Sequence, residues 1–235
     1  MRKVISIACS ILLLATTVFS QKDKETKIEG SGNVITKDVT IQPFDQLEAN
    51  GVFNVVLTQG NKESLKIEAE DNLQALFEIK NEGSKLMVDM KKDSHFNSKK
   101  KMTVYITFKN LKSMDLKMVG NVSSEGNLNF SDLSLASKSV GSVDLALNAQ
   151  KLDINNKSVG NLRLSGKAEN AIIRSNSVGA IKASDLLVQT MDIDNDGVGS
   201  VEVNAVKELK VKDSFLGKVK NAGSATAKRI NKVVI

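Results

Sequence analysis

The sequence predicts an all-β chain folded as a right-handed parallel β-helix, and three observations lead there. One short phrase returns six times between residues 114 and 219: Val119-Gly120, Val140-Gly141, Val159-Gly160, Val178-Gly179, Val198-Gly199 and Leu216-Gly217. The glycine-to-glycine steps are 21, 19, 19, 20 and 18 residues, a solenoid period too short for a helix pair. Apolar residues alternate with mostly polar ones on both sides of each glycine, which is the period of a strand buried on one face. Finally, two or three such strands in about 20 residues leave no room for a crossover helix, which needs about a dozen residues of its own. Each repeat is then one coil, with equivalent strands of successive coils stacked about 4.8 Å apart. Handedness is expected to follow the right-handed preference of twisted strands.

Residues 1–20 read as a secretory signal peptide. Arg2 and Lys3 precede an apolar run over residues 4–19, and the small Ser20 marks the cut, so Gln21 is the expected mature start. Cys9 sits inside that run, with apolar residues still to come, which is the wrong place for a lipid-anchor cysteine. Its removal leaves no cysteine at all, excluding disulfides, a thiolate nucleophile and a cysteine metal site. All 27 acids and 31 of the 33 Lys and Arg lie beyond residue 20, a mature net charge of +4. That excess is mild and has no basic arm with interleaved aromatics, so nucleic acid is not an expected partner. No membrane span is expected after cleavage.

Residues 21–115 form an N-terminal β segment without the glycine period. It opens with Gly30-Ser31-Gly32-Asn33, and Val52-Phe53-Asn54-Val55-Val56-Leu57 reads as one alternating strand turning at Gln59-Gly60-Asn61. Further strands are expected at residues 65–69, 86–90 and 102–108, with a helical turn only at 72–78. Such a segment either supplies irregular first coils or caps the open edge that any solenoid must protect from aggregation.

Residues 116–235 carry the regular coils and a C-terminal strand. Eight and six residues before each glycine stand Leu133 and Leu135, Leu152 and Ile154, Ala171 and Ile173, Met191 and Ile193, Leu209 and Val211. Two and four residues after it stand Val143 and Leu145, Leu162 and Leu164, Ile181 and Ala183, Val201 and Val203. A less regular apolar stretch, with Leu128, Phe130 and Leu147, suggests a third strand. Gly120, Gly141, Gly160, Gly179, Gly199 and Gly217 are the expected structural corners, where φ above zero or close backbone approach suits glycine. A leucine-rich repeat shares the period but wants Asn at a fixed place, here held by Lys138, Lys157, Asn176, Asp196 and Ser214. On the buried parity, four before the glycine, stand Ser137, Asn156, Ser175, Asn195 and Asp213. Unpaired and buried, each would cost about 1–3 kcal/mol, so a bonded ladder along the stack is expected.

The string Asp192-Ile193-Asp194-Asn195-Asp196-Gly197 begins like a calcium loop, which makes Asp192, Asp194 and Asp196 a metal candidate. Its twelfth position falls on Val203 rather than Glu, and Ile193 is needed inside the coil. Asp192 and Asp194 are then expected to face Lys210 and Lys212 across the next rung. His95, the sole histidine, lies among Lys91, Lys92, Lys99, Lys100 and Lys101, a solvated loop tip. Eight Phe, one Tyr and no Trp give little to stack on sugar rings, and no catalytic constellation recurs on the outer face. No catalytic residue and no cofactor are expected.

Gly30-Ser31-Gly32-Asn33, Phe44-Asp45-Gln46-Leu47 leading into Gly51-Val52-Phe53-Asn54-Val55, Gln59-Gly60 and Ala69-Glu70-Asp71-Asn72-Leu73 together resemble the Bacteroidetes family called putative auto-transporter adhesin, head GIN domain. The similarity runs from about residue 28 to the last glycine coil, specific in its N-terminal phrases and generic in its repeats. It implies an exported right-handed β-helical protein and adds little about activity. The expectation is a non-enzymatic protein of the envelope, outer surface or medium, adhesin-like, contacting an unknown surface, matrix or glycan ligand. A homo-oligomer is compatible with it. The alternatives are an acidic-polysaccharide lyase or hydrolase and a ligand-free structural envelope component.

Overall fold

The computed structural model describes residues 27–214 and 216–230. The expected leader, Cys9 and the cut before Gln21 fall outside them. The chain runs through β1 (Ile28–Glu29), β2 (Val34–Val39), β3 (Gln46–Val52), β4 (Asn54–Gln59) and β5 (Ser64–Glu70) into a short 3-10 helix at Asp71–Leu76. It continues with β6 (Phe77–Glu82), β7 (Lys85–Met90), β8 (Phe96–Asn97), β9 (Thr103–Phe108), β10 (Ser113–Val119) and β11 (Val122–Glu125). The long strands β12 (Leu128–Ser137), β13 (Val143–Asn156), β14 (Leu162–Ser175), β15 (Ile181–Asn195) and β16 (Val201–Asp213) follow, then the short β17 (Val219–Asn221) and β18 (Ala227–Arg229). Apart from the antiparallel β2, β5 and β6, they pair in parallel, the stack forming a β-solenoid of about six turns.

In-out alternation decides which side each residue takes. Leu135, Ile154, Ile173, Ile193 and Val211 are paired rung to rung and buried, while the intervening Asp153 is half-buried and Lys210 exposed. A second column runs Val55, Val122, Val143, Leu162, Ile181, Val201 and Val219. Burying one aliphatic side chain per column per rung gives roughly 1.5–3 kcal/mol each, which is what an unstapled coil has to live on. The apolar stretch read as a third strand is not separate. It continues the strand after the glycine, and each long strand bends where the register skips a residue, at Gln150, Glu169 and Gln189.

The N-terminal segment is both coil and cap. In space β3 lies between β7 and β10, and β4 lies between β9 and β11, so the first strands of the chain fill an inner rung and later strands build outward past them. Val52 through Leu57 is two strands, because the corner at Gly51, with φ of 144°, breaks the run before Phe53 turns inward. Antiparallel strands then finish the open end: β5 on β9, β2 on β5, and β6 on β7. The 3-10 helix lays buried Leu73 and Leu76 over the core.

Two of the phrases that carry the family resemblance, residues 30–33 and 69–73, hold each other. The Glu70 carboxylate, fully buried, accepts hydrogen bonds from the Gly32 amide at 2.6 Å, the Lys99 amide at 2.9 Å and the Ser98 hydroxyl at 2.7 Å. Asp71 accepts from the Ser31 hydroxyl at 2.5 Å and from Asn33 Nδ2 at 3.0 Å, and Asn72 Oδ1 accepts from the Ser31 amide at 3.0 Å. A Cβ at Gly30 would fall 2.3 Å from Glu70 Oε2, so only glycine lets the loop close over the carboxylate. The Ser98 hydroxyl is the main cause holding Glu70 below its ordinary titration range; the Ser31 hydroxyl does the same for Asp71.

Candidate functional site

The repeat builds two kinds of turn, and they differ in character. At the Val–Gly turn the valines bridge from rung to rung, Val119 to Val140 to Val159 to Val178 to Val198. Gly160 is typical of the first five glycines: φ is 140°, and a Cβ there would lie 2.0 Å from the Gly141 carbonyl oxygen one rung below. Gly120, Gly141, Gly179 and Gly199 have φ between 137° and 150°. Gly217 departs from the row. It has no positive φ, it stacks over Gly197 rather than Gly199, and its carbonyl accepts a 2.7 Å bond from Asn195 Nδ2.

The polar ladder is bonded through its serines and Asn195, and it is wider than the spacing predicts. Ser137, Asn156, Ser175 and Asn195 are buried, and so are Ser139, Ser158 and Ser177 two residues further on. Ser137 Oγ lies 2.8 Å from Ser158 Oγ, Ser175 Oγ lies 2.8 Å from Ser177 Oγ, and the Ser139 hydroxyl donates to the Leu116 carbonyl at 3.2 Å. The signal for this second row was in the sequence, as a serine two before three of the glycines. In the rungs below, Leu116 and Ala49 fill the same column with apolar side chains. Asp213 ends the column half-buried, accepting from the Val219 amide at 2.9 Å and paired with Arg229.

Asp192 and Asp194 face Lys210 and Lys212 on the next rung, and Asp194 pairs with Lys212 at 3.2 Å. Arg174 reaches back to Asp153 at 2.9 Å and Arg163 to Asp144 at 3.5 Å, so the outer face carries charge pairs across rungs. Each such exposed pair contributes about 0.2–1 kcal/mol. Among the described residues no group of three or more His, Cys, Asp or Glu is placed to hold a metal. Ile193, fully buried between Asp192 and Asp194, keeps that string in the strand instead of looping it around a cation.

The principal concavity lies over the other turn, near the N-terminal end. It measures about 750 Å³ and is formed where Pro43 and Phe44 enter β3, where residues 61–63 leave β4, where residues 109–112 link β9 to β10, and where β12 bends at residues 129–132. Buried Phe44, Leu111 and Phe130 make the floor, and Phe130 stacks on Phe108 with centroids 5.9 Å apart. The rim carries Asn61, Lys62, Glu63, Lys109, Asn110, Asn129 and Asp132. Gln59 pins the wall: its Oε1 accepts from the Asn129 amide at 2.8 Å, and its Nε2 donates to the Asn129 carbonyl at 3.0 Å and the Lys109 carbonyl at 3.3 Å. A second concavity of about 670 Å³ continues past Asn129 and Phe130 along Asn148, Gln150, Lys167 and Glu169. The two form one groove running along the solenoid.

The groove's chemistry suits binding. Asp45 pairs with Lys112 at 2.8 Å, and that bond, followed by one from Ser84, holds its carboxyl below the ordinary carboxylate range. An ionised, paired carboxylate is the reverse of a general acid, whose titration must be raised toward neutrality. Burial does raise one carboxyl, Asp89, aided by the negative charge of Glu48, but it stands on β7 outside the groove lining. The groove was not legible in the sequence, since its residues come from four connections scattered between positions 43 and 132.

The family model described as putative auto-transporter adhesin, head GIN domain matches residues 43–225. A crystal structure of a putative adhesin from Bacteroides fragilis is 31% identical, with a TM-score of 0.74 over 86% of this chain and 100% of that one. A structure described as a putative lipid binding protein from Parabacteroides distasonis is 17% identical, with a TM-score of 0.61 over 87% of this chain and 100% of that one. A putative adhesin from Parabacteroides merdae is 19% identical, with a TM-score of 0.52 over 87% and 99%. The last two share the fold alone. No curated protein matches the chain.

Proposed function

Since the chain belongs to the family described as putative auto-transporter adhesin, head GIN domain, we propose that it is an exported, non-enzymatic surface protein that makes adhesin-like contact with a matrix or host glycan through the groove over the second turn. The carrying observation is the groove's lining: an apolar floor under a rim of amides and charged side chains. Amides both donate and accept, which fits hydroxyl-rich ligands whose groups do the same. The strands beneath the floor are paired rung to rung, β3 on β10 and β10 on β12, so the rim is presented on a rigid scaffold and loses little order on binding. Export rests on the leader pattern of residues 1–20. Among the described residues no helix is long and apolar enough to cross a membrane.

A glycan and matrix panel, run beside a reducing-end assay, tests the reading. Specific binding without turnover, reduced about tenfold or more by Asn110→Ala with Asp132→Ala, is the expected result. Turnover of acidic polysaccharide abolished by a single carboxylate substitution would replace it with the lyase or hydrolase alternative. Silence in both assays would leave a structural envelope component. Export is checked by intact mass: protein recovered from envelope or medium should correspond to residues 21–235, and a retained Met1 or a lipid on Cys9 would contradict it.

A further inference from the structure

The Val–Gly corner carries a feature that coil formation does not require. One aliphatic side chain per rung points outward there: Val52, Val119, Val140, Val159, Val178, Val198 and Leu216, between 46% and 64% exposed. The core gains nothing from them, because the inward columns of every coil are filled by other residues. Nor does the turn demand an apolar group, since two residues further on the same corner holds Asn121, Ser142, Asn161, Ala180 and Ser200. Stacked at about 4.8 Å per rung, the seven make a ridge about 30 Å long. A continuous exposed apolar strip of that kind marks an interaction surface.

The two flanks of the ridge are unlike. On the side following each valine the side chains are short and neutral, from Asn121 to Ser200, with Lys218 at the Leu216 end. On the preceding side stands Lys117, answered by Glu48 and Asp115, and after it Lys138, Lys157, Asn176 and Asp196, exposed and one rung apart. The amides of these last four bond in turn to the Leu116, Ser137, Asn156 and Ser175 carbonyls. Lys138 and Lys157 are therefore adjacent like charges, and among the described residues no ion pair joins either. Stacked like charges are unfavourable unless something outside the coil answers them.

We infer that the ridge is the contact surface of a homodimer, in which two copies pack their valine ridges antiparallel about a two-fold axis lying perpendicular to the ridge. That axis sets the charged flank of one copy against the charged flank of the other in reverse order, as an isologous interface must. With the axis midway between the rungs of Val159 and Val178, Lys138 meets the partner subunit's Asp196 and Lys157 meets the partner subunit's Asn176. Val140 then packs on the partner's Val198, and Val159 on the partner's Val178. Moving the axis onto Val159 would set Lys157 against its own copy, while moving it onto Val178 shortens the apolar contact by one rung. Pairing the ridges in parallel would put the charged flank on the neutral one and leave both lysines unanswered. Charge thus selects the orientation and excludes the register centred on Val159, and the length of the valine contact excludes the one centred on Val178.

Sedimentation equilibrium of the purified exported chain, with far-UV circular dichroism on every variant, tests this. A dimer is expected for the wild type, and Val159→Asp with Val178→Asp should raise the dissociation constant about a hundredfold or more with the β spectrum kept. Lys138→Glu and Asp196→Lys should each weaken the dimer about tenfold, and the two combined should return it to within about threefold of wild type. Should the valine variants fail to fold, the charge exchange decides, because both of its side chains are exposed. A wild-type chain that stays monomeric at about 100 μM, a dimer indifferent to the valine substitutions, or a charge exchange without rescue would each overturn the inference.

Discussion

Replacing Gly160 by alanine isolates what the corner glycines do. Two costs act at that position. A left-handed φ is unfavourable for any residue with a Cβ, by about 1–2 kcal/mol. The added carbon would also lie 2.0 Å from the Gly141 carbonyl oxygen and 2.7 Å from its carbon, both backbone atoms of a hydrogen-bonded rung that cannot move independently. Forcing that rung apart adds about 1–3 kcal/mol, as overpacking does elsewhere. Gly126 is the matched control, with φ of 78° and open space around it, so only the first cost applies. Gly160→Ala is expected to lose about 2–5 kcal/mol, a large share of a stability of about 5–15 kcal/mol, and Gly126→Ala about 1–2 kcal/mol. Urea unfolding followed by far-UV circular dichroism measures both, with equal slopes as the check that the transitions are comparable. If the two variants unfold within about 0.5 kcal/mol of each other, close approach is not why glycine recurs at this corner, and the account of the repeat fails.

The acid response of the N-terminal clamp has a definite sign. Glu70 and Asp71 titrate below their ordinary values of 4.5 and 3.8 when folded, so their contribution is complete above those values and is lost as pH falls through the folded ones. Amide exchange at Gly32 and Lys99 should therefore accelerate, relative to the β13–β15 core, below about pH 4, and Glu70→Gln should reproduce that loosening at neutral pH. Asp192, Asp194 and Asp196 are expected to behave as surface residues: millimolar calcium should leave the melting temperature unchanged, and Asp194→Asn should cost only about 0.2–1 kcal/mol through the lost Lys212 pair. A calcium-dependent rise abolished by that substitution would make them a metal site. Ile173→Ala, in the column between Ile154 and Ile193, should cost about 2–5 kcal/mol in the same urea assay.

Residues 116–214 were legible because everything that shapes a coil there is local and repeated. Inward and outward parity follows from alternation within one strand, and a mismatch in any rung would put a leucine in water and an aspartate in the core. The period then aligned Leu152 under Ala171 and Val159 under Val178 without long-range information. It failed at Gly217, where the last rung ends and no further coil demands the corner geometry. The inward place of Ile193 within the acidic string at 192–197 was legible for the same reason.

What the period could not encode was decided by tertiary structure. Nothing local says that β3 sits between β7 and β10, because that order depends on pairings between positions far apart in the chain, Gln46 with Lys85 and with Ser113, and on which strands must cover the open end. The partnership of Glu70 with Gly32 and Ser98 spans 38 and 28 positions, so the phrases that mark the family could be recognised without being understood. The groove is assembled from four connections with no common pattern. The valines show the difference most simply: their recurrence is plain in the sequence, but whether they fill the core or face solvent depends on a backbone turn, and the positive φ of the glycine beside them turns them out.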